Sequence, residues 1–521
     1  MLTKLDYPFE TFYAMIEHHA KVQGKKTAIF LDDQKVSYEM LLQKADCFAG
    51  YLHQHGVKSQ DRVALFLRNS IEFVVSMIAI SKLGAIIVPI NTFLKEDELG
   101  YILKDSGATL LIASSIHEVV VRKACSEELV KHIIWEGELQ NSDTRNVLFS
   151  DTLKATCTSE VAPVEIDDTA VIIYTSGTTG KPKGAMLSYR NIFSNAAAGT
   201  ERIQIRQKDR AIVFLPMFHS FTLSIGVILF LYVGASIVII QSLQPFSNIF
   251  KQALLKRVTI FFGIPDVYNA LIKAKLPWYF MWFHKIRIFV SGAAALQEKT
   301  LDGMRDKFKR SKLLEGYGLS EASPAVCVNP LEKSKVKSVG PALPTYEVKI
   351  VDENLVELPA QSVGDIICRG DNVMKGYWNR TDATEETIVN GWLLTGDMGY
   401  MDEEGYLYIV DRKKDLIISK GINIYPREIE EILDTFDGVK VSAVVGAFDE
   451  HCGEIPVAYI ELEDGVEAVN EGELKRHLRQ HLANYKIPKH IYTIEALPKN
   501  ATGKVLKRVL KEELLDGSKP C

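Results

Sequence analysis

The segment Tyr174-Thr-Ser-Gly-Thr-Thr-Gly-Lys-Pro-Lys-Gly184 decides how the chain is read. It follows the β-branched run Ala170-Val-Ile-Ile173, which has the composition of a buried strand. Thr175, Ser176, Thr178 and Thr179 put four hydroxyls around Gly177. Gly180 and Gly184 permit a tight turn, and Lys181 and Lys183 add positive charge. Backbone N–H groups, hydroxyls and ammonium groups together form an anion cradle, for which a polyphosphate is the obvious ligand. A Gly/Thr-rich connecting loop with solubilising lysines is the plainer account of the same composition. Spacing excludes two phosphate templates: Gly177-x-x-Gly180-Lys181-Pro182 does not fit G-x-x-x-x-G-K-[ST], and no G-x-G-x-x-G is present.

At 521 residues the chain exceeds what one hydrophobic core usually supports, so two or more domains are expected. A formal charge of −5 gives no reason to expect nucleic acid as a partner. Seven cysteines, at positions 47, 125, 157, 327, 368, 452 and 521, lack C-x-x-C or Cys/His ligand spacing. Such a set favours a reducing cytoplasm over a disulfide framework or zinc site. The first residues lack the apolar run of a signal peptide. Residues 211–250 contain no Asp, Glu, Lys or Arg and approach the length of a membrane span. Pro216, His219, Gly226 and Gly234 interrupt them, so a buried helix ending at Gly234 and a buried strand over 235–240 are expected instead.

Helices are expected over 9–22, 38–55, 70–83, 95–104 and 191–202, alternating with strands over 28–31, 35–38, 62–67, 85–90, 109–113, 170–173 and 210–215. That alternation indicates βα units and largely parallel sheets. The segment at 174–184 then follows a strand, where α/β sheets tend to bind ligands. Residues 348–410 read as a β-rich subdomain, and a new α+β pattern begins after the basic turn Asp411-Arg-Lys-Lys-Asp415. The expected fold is α/β, with a large N-terminal domain (1–411) of parallel α/β subdomains plus the β-rich subdomain. A small mobile α+β domain (412–521) follows.

Four further segments follow the phosphate loop in order: Glu315-Gly-Tyr-Gly-Leu-Ser-Glu321, Gly391-Trp-Leu-Leu-Thr-Gly-Asp397, Asp411-Arg-Lys-Lys-Asp415 and Pro498-Lys-Asn-Ala-Thr-Gly-Lys504. Together the five resemble the motifs of the adenylate-forming superfamily of acyl- and aryl-CoA synthetases, luciferases and peptide-synthetase adenylation domains. The resemblance covers nearly the whole chain, and its wording is closest to bacterial long-chain fatty acid–CoA ligases. It implies a Mg-ATP-dependent enzyme that joins a carboxylate to the α-phosphate of ATP, releases pyrophosphate and passes the acyl group to a thiol.

The resemblance implies the site residues as well. Thr175, Ser176, Gly177, Thr178, Thr179, Gly180 and Lys183 would hold the phosphates. Tyr317 would stack on adenine between Gly316 and Gly318, and Ser320 would bond a phosphate oxygen. Glu321 would hold Mg²⁺, a hard cation suited to carboxylate and phosphate oxygens. Asp397 and Arg412 would contact ribose, Lys414 would be the hinge, and Gly421 would leave room for the pantetheine arm of CoA. Lys504 would stabilise charge on the α-phosphate, with His219 beside the carboxylate. Each has a bland counterpart: a core tyrosine, a turn aspartate, a solvated basic turn, an exposed lysine.

His219, Phe262, Gly263, Gly292 and Ala293 are expected to line an acyl pocket of apolar or small residues. No acid lies between Asp209 and Asp266, which disfavours an α-amino acid whose ammonium would need a partner. A medium- to long-chain fatty acid is the preferred substrate, with CoA as acceptor. The alternatives are an aryl or other acid, a ligase that loads a carrier protein, and a non-catalytic paralogue. Retention of Lys183, Glu321, Asp397 and Lys504 argues against the last. The aromatic stretch Leu276-Pro-Trp-Tyr-Phe-Met-Trp-Phe-His-Lys-Ile-Arg287 reads as a packed connecting helix or as an interfacial patch for peripheral membrane contact. A homodimer is left open.

Overall fold

Continuous β-branched runs such as Ile86–Pro89 and Ser236–Ile239 are buried on both faces, the condition that central parallel strands meet. They belong to two eight-stranded sheets. One runs in the order Ala325–Val328, Lys312–Gly318, Ile288–Ser291, Ile260–Gly263, Arg210–Val213, Ser236–Ile239, Thr27–Leu31, Gln34–Ser37, parallel except for the two outermost pairs. The other is ordered Gly376–Tyr377, Lys183–Ser188, Thr169–Thr175, Ile86–Pro89, Arg62–Phe66, Leu110–Ser114, His132–Glu136, Asn146–Leu148. The computed structural model describes residues 7–126, 128–139, 146–158, 160–175, 181–242, 244–294, 296–419, 422–449, 453–463, 465–500 and 503–515.

Helices Phe12–Gln23, Tyr38–Gln54, Ile71–Lys82 and Tyr189–Ile203 share one apolar core with both sheets, built around Phe12, Phe48, Phe73, Tyr189 and Phe193. Their starts are set locally: Ser37, Ser70 and Ser188 accept N-terminal backbone N–H groups, and Ser188 with Asn191 closes a reciprocal capping box. A third, antiparallel sheet holds Glu347–Val351, Gly364–Arg369, Trp392–Met401, Ile388–Val389 and Leu407–Arg412. The fourth holds Ile422–Ile424, Ile417–Ser419, Gly453–Leu462, Val439–Asp449 and His490–Ile494, with helices Pro426–Leu433 and Glu471–His481 on its apolar face. The α/β class with a β-rich part and a small C-terminal α+β unit is therefore observed.

Two expectations are corrected. The segment from Lys183 onward is not only loop: Lys183–Ser188 pairs antiparallel with Thr169–Thr175. Its alternation was hidden because the same residues carry the loop's lysine and glycine. The buried helix expected to end at Gly234 is observed, wound as an eight-residue π-helix, Phe221–Ile228, and a short α-turn, Leu229–Tyr232, and the buried strand Ser236–Ile239 follows it. No helix of the described residues is long and apolar enough to cross a membrane. Cys47 and Cys157 are joined as a disulfide across 110 residues of sequence. The 156–158 segment lies along helix Tyr38–Gln54, where Thr158 N donates to Asp46 O, a neighbourhood that cysteine spacing does not encode.

Candidate functional site

The C-terminal end of strand Lys312–Gly318 turns into a 3₁₀ segment, Ser320–Ala322, that faces the paired strands Thr169–Thr175 and Lys183–Ser188. Glu321 Oε1 accepts from Thr175 Oγ1 at 3.2 Å and from the Tyr377 hydroxyl at 2.9 Å. The Lys183 ammonium lies 5.3 Å from the centre of the same Tyr377 ring. Tyr377 belongs to the two-residue edge strand beside Lys183–Ser188, and sequence reasoning missed it because nothing local marks it. Ser320 Oγ is 2.9 Å from Ser220 Oγ, which links this turn to the start of the π-helix. Ser176, Gly177, Thr178, Thr179, Gly180 and Gly421 lie outside the described residues.

Gly318 is required by its own chain. A Cβ there would lie 2.0 Å from Pro324 O, so this glycine serves the hairpin with Ala325–Val328, whereas a Cβ on Gly316 would meet Cys327 O only at a tight 3.3 Å. Tyr317 between them donates its hydroxyl to Asp397 Oδ2 at 2.6 Å. Burial, reinforced by Asp397, pushes the Tyr317 phenol well up and keeps it protonated. Arg412 Nε lies 2.9 Å from Asp397 Oδ1. Burial opposes the Arg412 charge, but Asp397, Tyr317, Asp415 and Glu321 outweigh it and hold its pKa up.

Lys504 reaches this group from the C-terminal unit. It sits on a turn closed by Asn500 N to Lys504 O and by Lys504 N to Asn500 Oδ1, each 2.9 Å. Burial, then the nearby Arg412, lowers its ammonium to about 8, while Asp397 and Asp415 act against the shift. The unit is held in this orientation by Lys499 to Asp266 at 2.8 Å and Gln297 to Asp434 at 2.6 Å. Lys414 is exposed on the short turn Lys413–Asp415 that joins the third and fourth sheets. One arrangement thus brings together Thr175, Lys183, Tyr317, Glu321, Asp397, Arg412 and Lys504, residues up to 329 positions apart in sequence.

Around His219, Phe221 N donates to His219 Nδ1 at 3.3 Å, which leaves the ring proton on Nε2. Burial lowers the His219 pKa to about 4, so the ring is neutral. The Phe221 ring stands nearly perpendicular to that of Phe262, 6.0 Å away, and a Cβ on Gly292 would touch it at 3.1 Å. Next to it in sequence, Thr222 has a buried hydroxyl without a hydrogen-bond partner among the described residues. Two expected lining residues do not join this wall. Gly263 follows Phe262 in its strand, so strand alternation points its Cβ position to Tyr268 on the other face. Ala293 is exposed, with φ of 68°. Phe221 was missed because a phenylalanine beside a buried helix reads as ordinary core.

Residues 16–378 match the family described as AMP-binding enzyme, and residues 428–504 match AMP-binding enzyme C-terminal domain. A long-chain-fatty-acid–CoA ligase of Bacillus subtilis (strain 168) is 34% identical over 98% of this chain and 96% of its own length. The crystal structure of an anthranilate CoA ligase in complex with anthranoyl-AMP superposes with a TM-score of 0.90 at 27% identity, covering 99% of each chain. The o-succinylbenzoate coenzyme A synthetase of Bacillus subtilis in complex with ATP and magnesium ion gives 0.84 at 31% identity, covering 95% of this chain and 99% of its own.

Proposed function

Because the chain belongs to the AMP-binding enzyme family of CoA ligases, we propose that the acid it activates is a fatty acid of medium to long chain. The acid is taken to acyl-AMP with release of pyrophosphate and then passed to the thiol of CoA. The observation that carries the choice of acid is the wall of Phe221, Phe262 and Gly292 beside a neutral His219. The nearest acid in sequence after that wall's first residue, Asp266, is already paired with Lys499. An amino acid's ammonium would be buried there without a counter-charge.

In this reading a carboxylate oxygen attacks the α-phosphorus while the bond to the bridging oxygen of pyrophosphate breaks. No base is needed, since a carboxylic acid is ionised at neutral pH. His219 Nε2–H donates to the carboxylate and orients it. Lys504 carries positive charge to the α-phosphate as the pentacoordinate charge develops. Asp397 and Arg412 hold ribose, Tyr317 stacks on adenine, and Ser320 with the glycine- and threonine-rich stretch and Lys183 holds the phosphates. Glu321 accepts only from the neutral hydroxyls of Thr175 and Tyr377 and has no ion-pair partner among the described residues. One such carboxylate, sharing a cation with phosphate oxygens, fits Mg²⁺, which when bound neutralises phosphate charge.

The second half-reaction, attack of the CoA sulfur on the acyl carbon with AMP leaving, requires Lys504 to withdraw. We assign that movement to rotation of the unit after Asp411 about Lys414, which would bring Gly421 to the thiol's approach. An aryl acid is the second reading. The crossed Phe221 and Phe262 rings offer a flat substrate an aromatic slot, and the anthranilate ligase is a structural relative. The test is thioester formation from ATP and CoA across C4 to C18 acids, with aryl and amino acids alongside. Highest kcat/KM for a straight-chain acid of medium or greater length is expected. Preference for an aryl acid would replace the first reading with the second, and adenylate without any CoA thioester would point to a carrier-loading ligase.

A further inference from the structure

The packed-helix reading of the aromatic stretch is corrected by exposure: in helix Trp278–Phe283 only Phe280 is buried. Trp278 and Trp282 are each 72% exposed, Phe283 60% and Tyr279 47%. These are four of the seven exposed large aromatic side chains among the described residues, gathered in six consecutive positions. Phe280 pins the helix by an edge-to-face contact with Phe250 and by stacking on His284, each 5.5 Å away. Phe250 lies on the neighbouring helix Ser247–Leu255, whose last residue, Leu255, is itself 61% exposed.

Charge along the chain around this helix is predominantly positive. Residues 210–297 contain eight Lys and Arg against a single acid, Asp266, which Lys499 neutralises. Lys251, Arg257, Lys273, Lys275 and Lys285 are exposed and form no ion pair with a described carboxylate. Arg310 adds a cation at the helix's C-terminal end, donating to Met281 O at 2.5 Å and Trp282 O at 3.0 Å. The next helix in sequence, Glu298–Lys307, carries three acids: Lys337 pairs Glu298, Arg305 pairs Asp302, and Asp306 is exposed.

We propose that Trp278, Tyr279, Trp282 and Phe283, with Lys275 and Lys285, dock this enzyme onto the surface of an anionic lipid bilayer. Tryptophan and tyrosine favour the boundary between headgroups and acyl chains, and the unpaired lysines complement anionic headgroups. A six-residue helix is about 9 Å long, so it lies in the interface and cannot span. A two-fold contact with a second copy would set the same lysines against themselves, which disfavours that occupant. Phe280 shares an apolar cluster with Phe261, and Phe221 packs at that cluster's edge, so the docked face and the acid wall are parts of one apolar body. Delivery of an apolar acid along that route rests on the fatty-acid reading; docking itself does not.

The test is binding of the full chain to vesicles of phosphatidylcholine alone or mixed with phosphatidylglycerol, at low and at physiological salt, followed by sedimentation and tryptophan fluorescence. Binding to the phosphatidylglycerol vesicles with a blue shift is expected, weakened by salt and by Lys275→Gln/Lys285→Gln. Trp278→Ser/Trp282→Ser should weaken it about ten-fold or more while leaving thioester formation from a soluble short acid unchanged. No binding to the anionic vesicles at low salt, or equal binding by the tryptophan variant, would overturn the proposal. So would a concentration-dependent dimer that the tryptophan variant loses. If vesicles bind but only aryl acids are activated, docking stands and the fatty-acid reading falls.

Discussion

Arg412 Nε lies 2.9 Å from Asp397 Oδ1, and the two residues face each other in register across strands Trp392–Met401 and Leu407–Arg412. With Tyr317 on the other oxygen, the Asp397 carboxylate is fixed in position within the protein itself. Hydrogen bonds to a charged acceptor contribute about 1.5–3 kcal/mol, so Asp397→Asn should weaken ATP binding about 10–100-fold. Calorimetric titration with ATP reads this directly. Unchanged affinity would remove Asp397 from the nucleotide site.

The depressed ammonium of Lys504 gives a pH dependence whose sign can be worked out. A lysine with its pKa lowered to about 8 is charged below that pH and neutral above it. Adenylation, followed as pyrophosphate exchange, should therefore fall as pH rises through about 8, and kcat/KM for ATP reports the group in the free enzyme. Lys504→Arg, which keeps its charge, should shift the falling limb to higher pH. A limb that Lys504→Arg leaves in place would belong to another group.

In the proposed reading, Phe221 and Gly292 set the space available to the acid. Phe221→Ala removes the ring that fills the gap between Gly292 and Phe262, and it should move the optimum of kcat/KM toward longer or bulkier acids. Gly292→Ala puts a Cβ 3.1 Å from that ring and should act in the opposite direction. A parallel shift by both variants would argue against this wall.

Lys82 is a buried cation, 2% exposed, with its ammonium 2.5 Å from Asp46 and 2.6 Å from Thr158 O. Asp46→Ala strands that charge and should cost about 3–5 kcal/mol of stability, read by denaturant unfolding. Lys82→Met combined with Asp46→Ala should recover much of the loss. Additive destabilisation would show that the pair is not coupled.

The alternation of strands and helices was legible because the central strands are short apolar runs and several helices begin at a serine or end at a glycine, as at Ser70 and Gly84. Glu321, Asp397 and Lys504 were legible only through motifs, because nothing local separates them from solvated side chains. The hydroxyl of Tyr377 on Glu321 and the ring of Phe221 beside Gly292 arise from tertiary pairing and escaped notice. Gly263 was misassigned because a glycine next to Phe262 looks like pocket until strand alternation turns it to Tyr268. The Cys47–Cys157 pair likewise depends on how residues 156–158 cross helix Tyr38–Gln54.

The central claim is that one lysine, delivered by the C-terminal unit, serves adenylation and not thioester formation. It is tested most directly by assaying Lys504→Ala in the two half-reactions separately. Pyrophosphate exchange with acid and ATP should fall about 100-fold or more, whereas thioester formation from supplied acyl-adenylate and CoA should stay within a few-fold of the unmodified enzyme. Equal loss in both half-reactions would contradict the account.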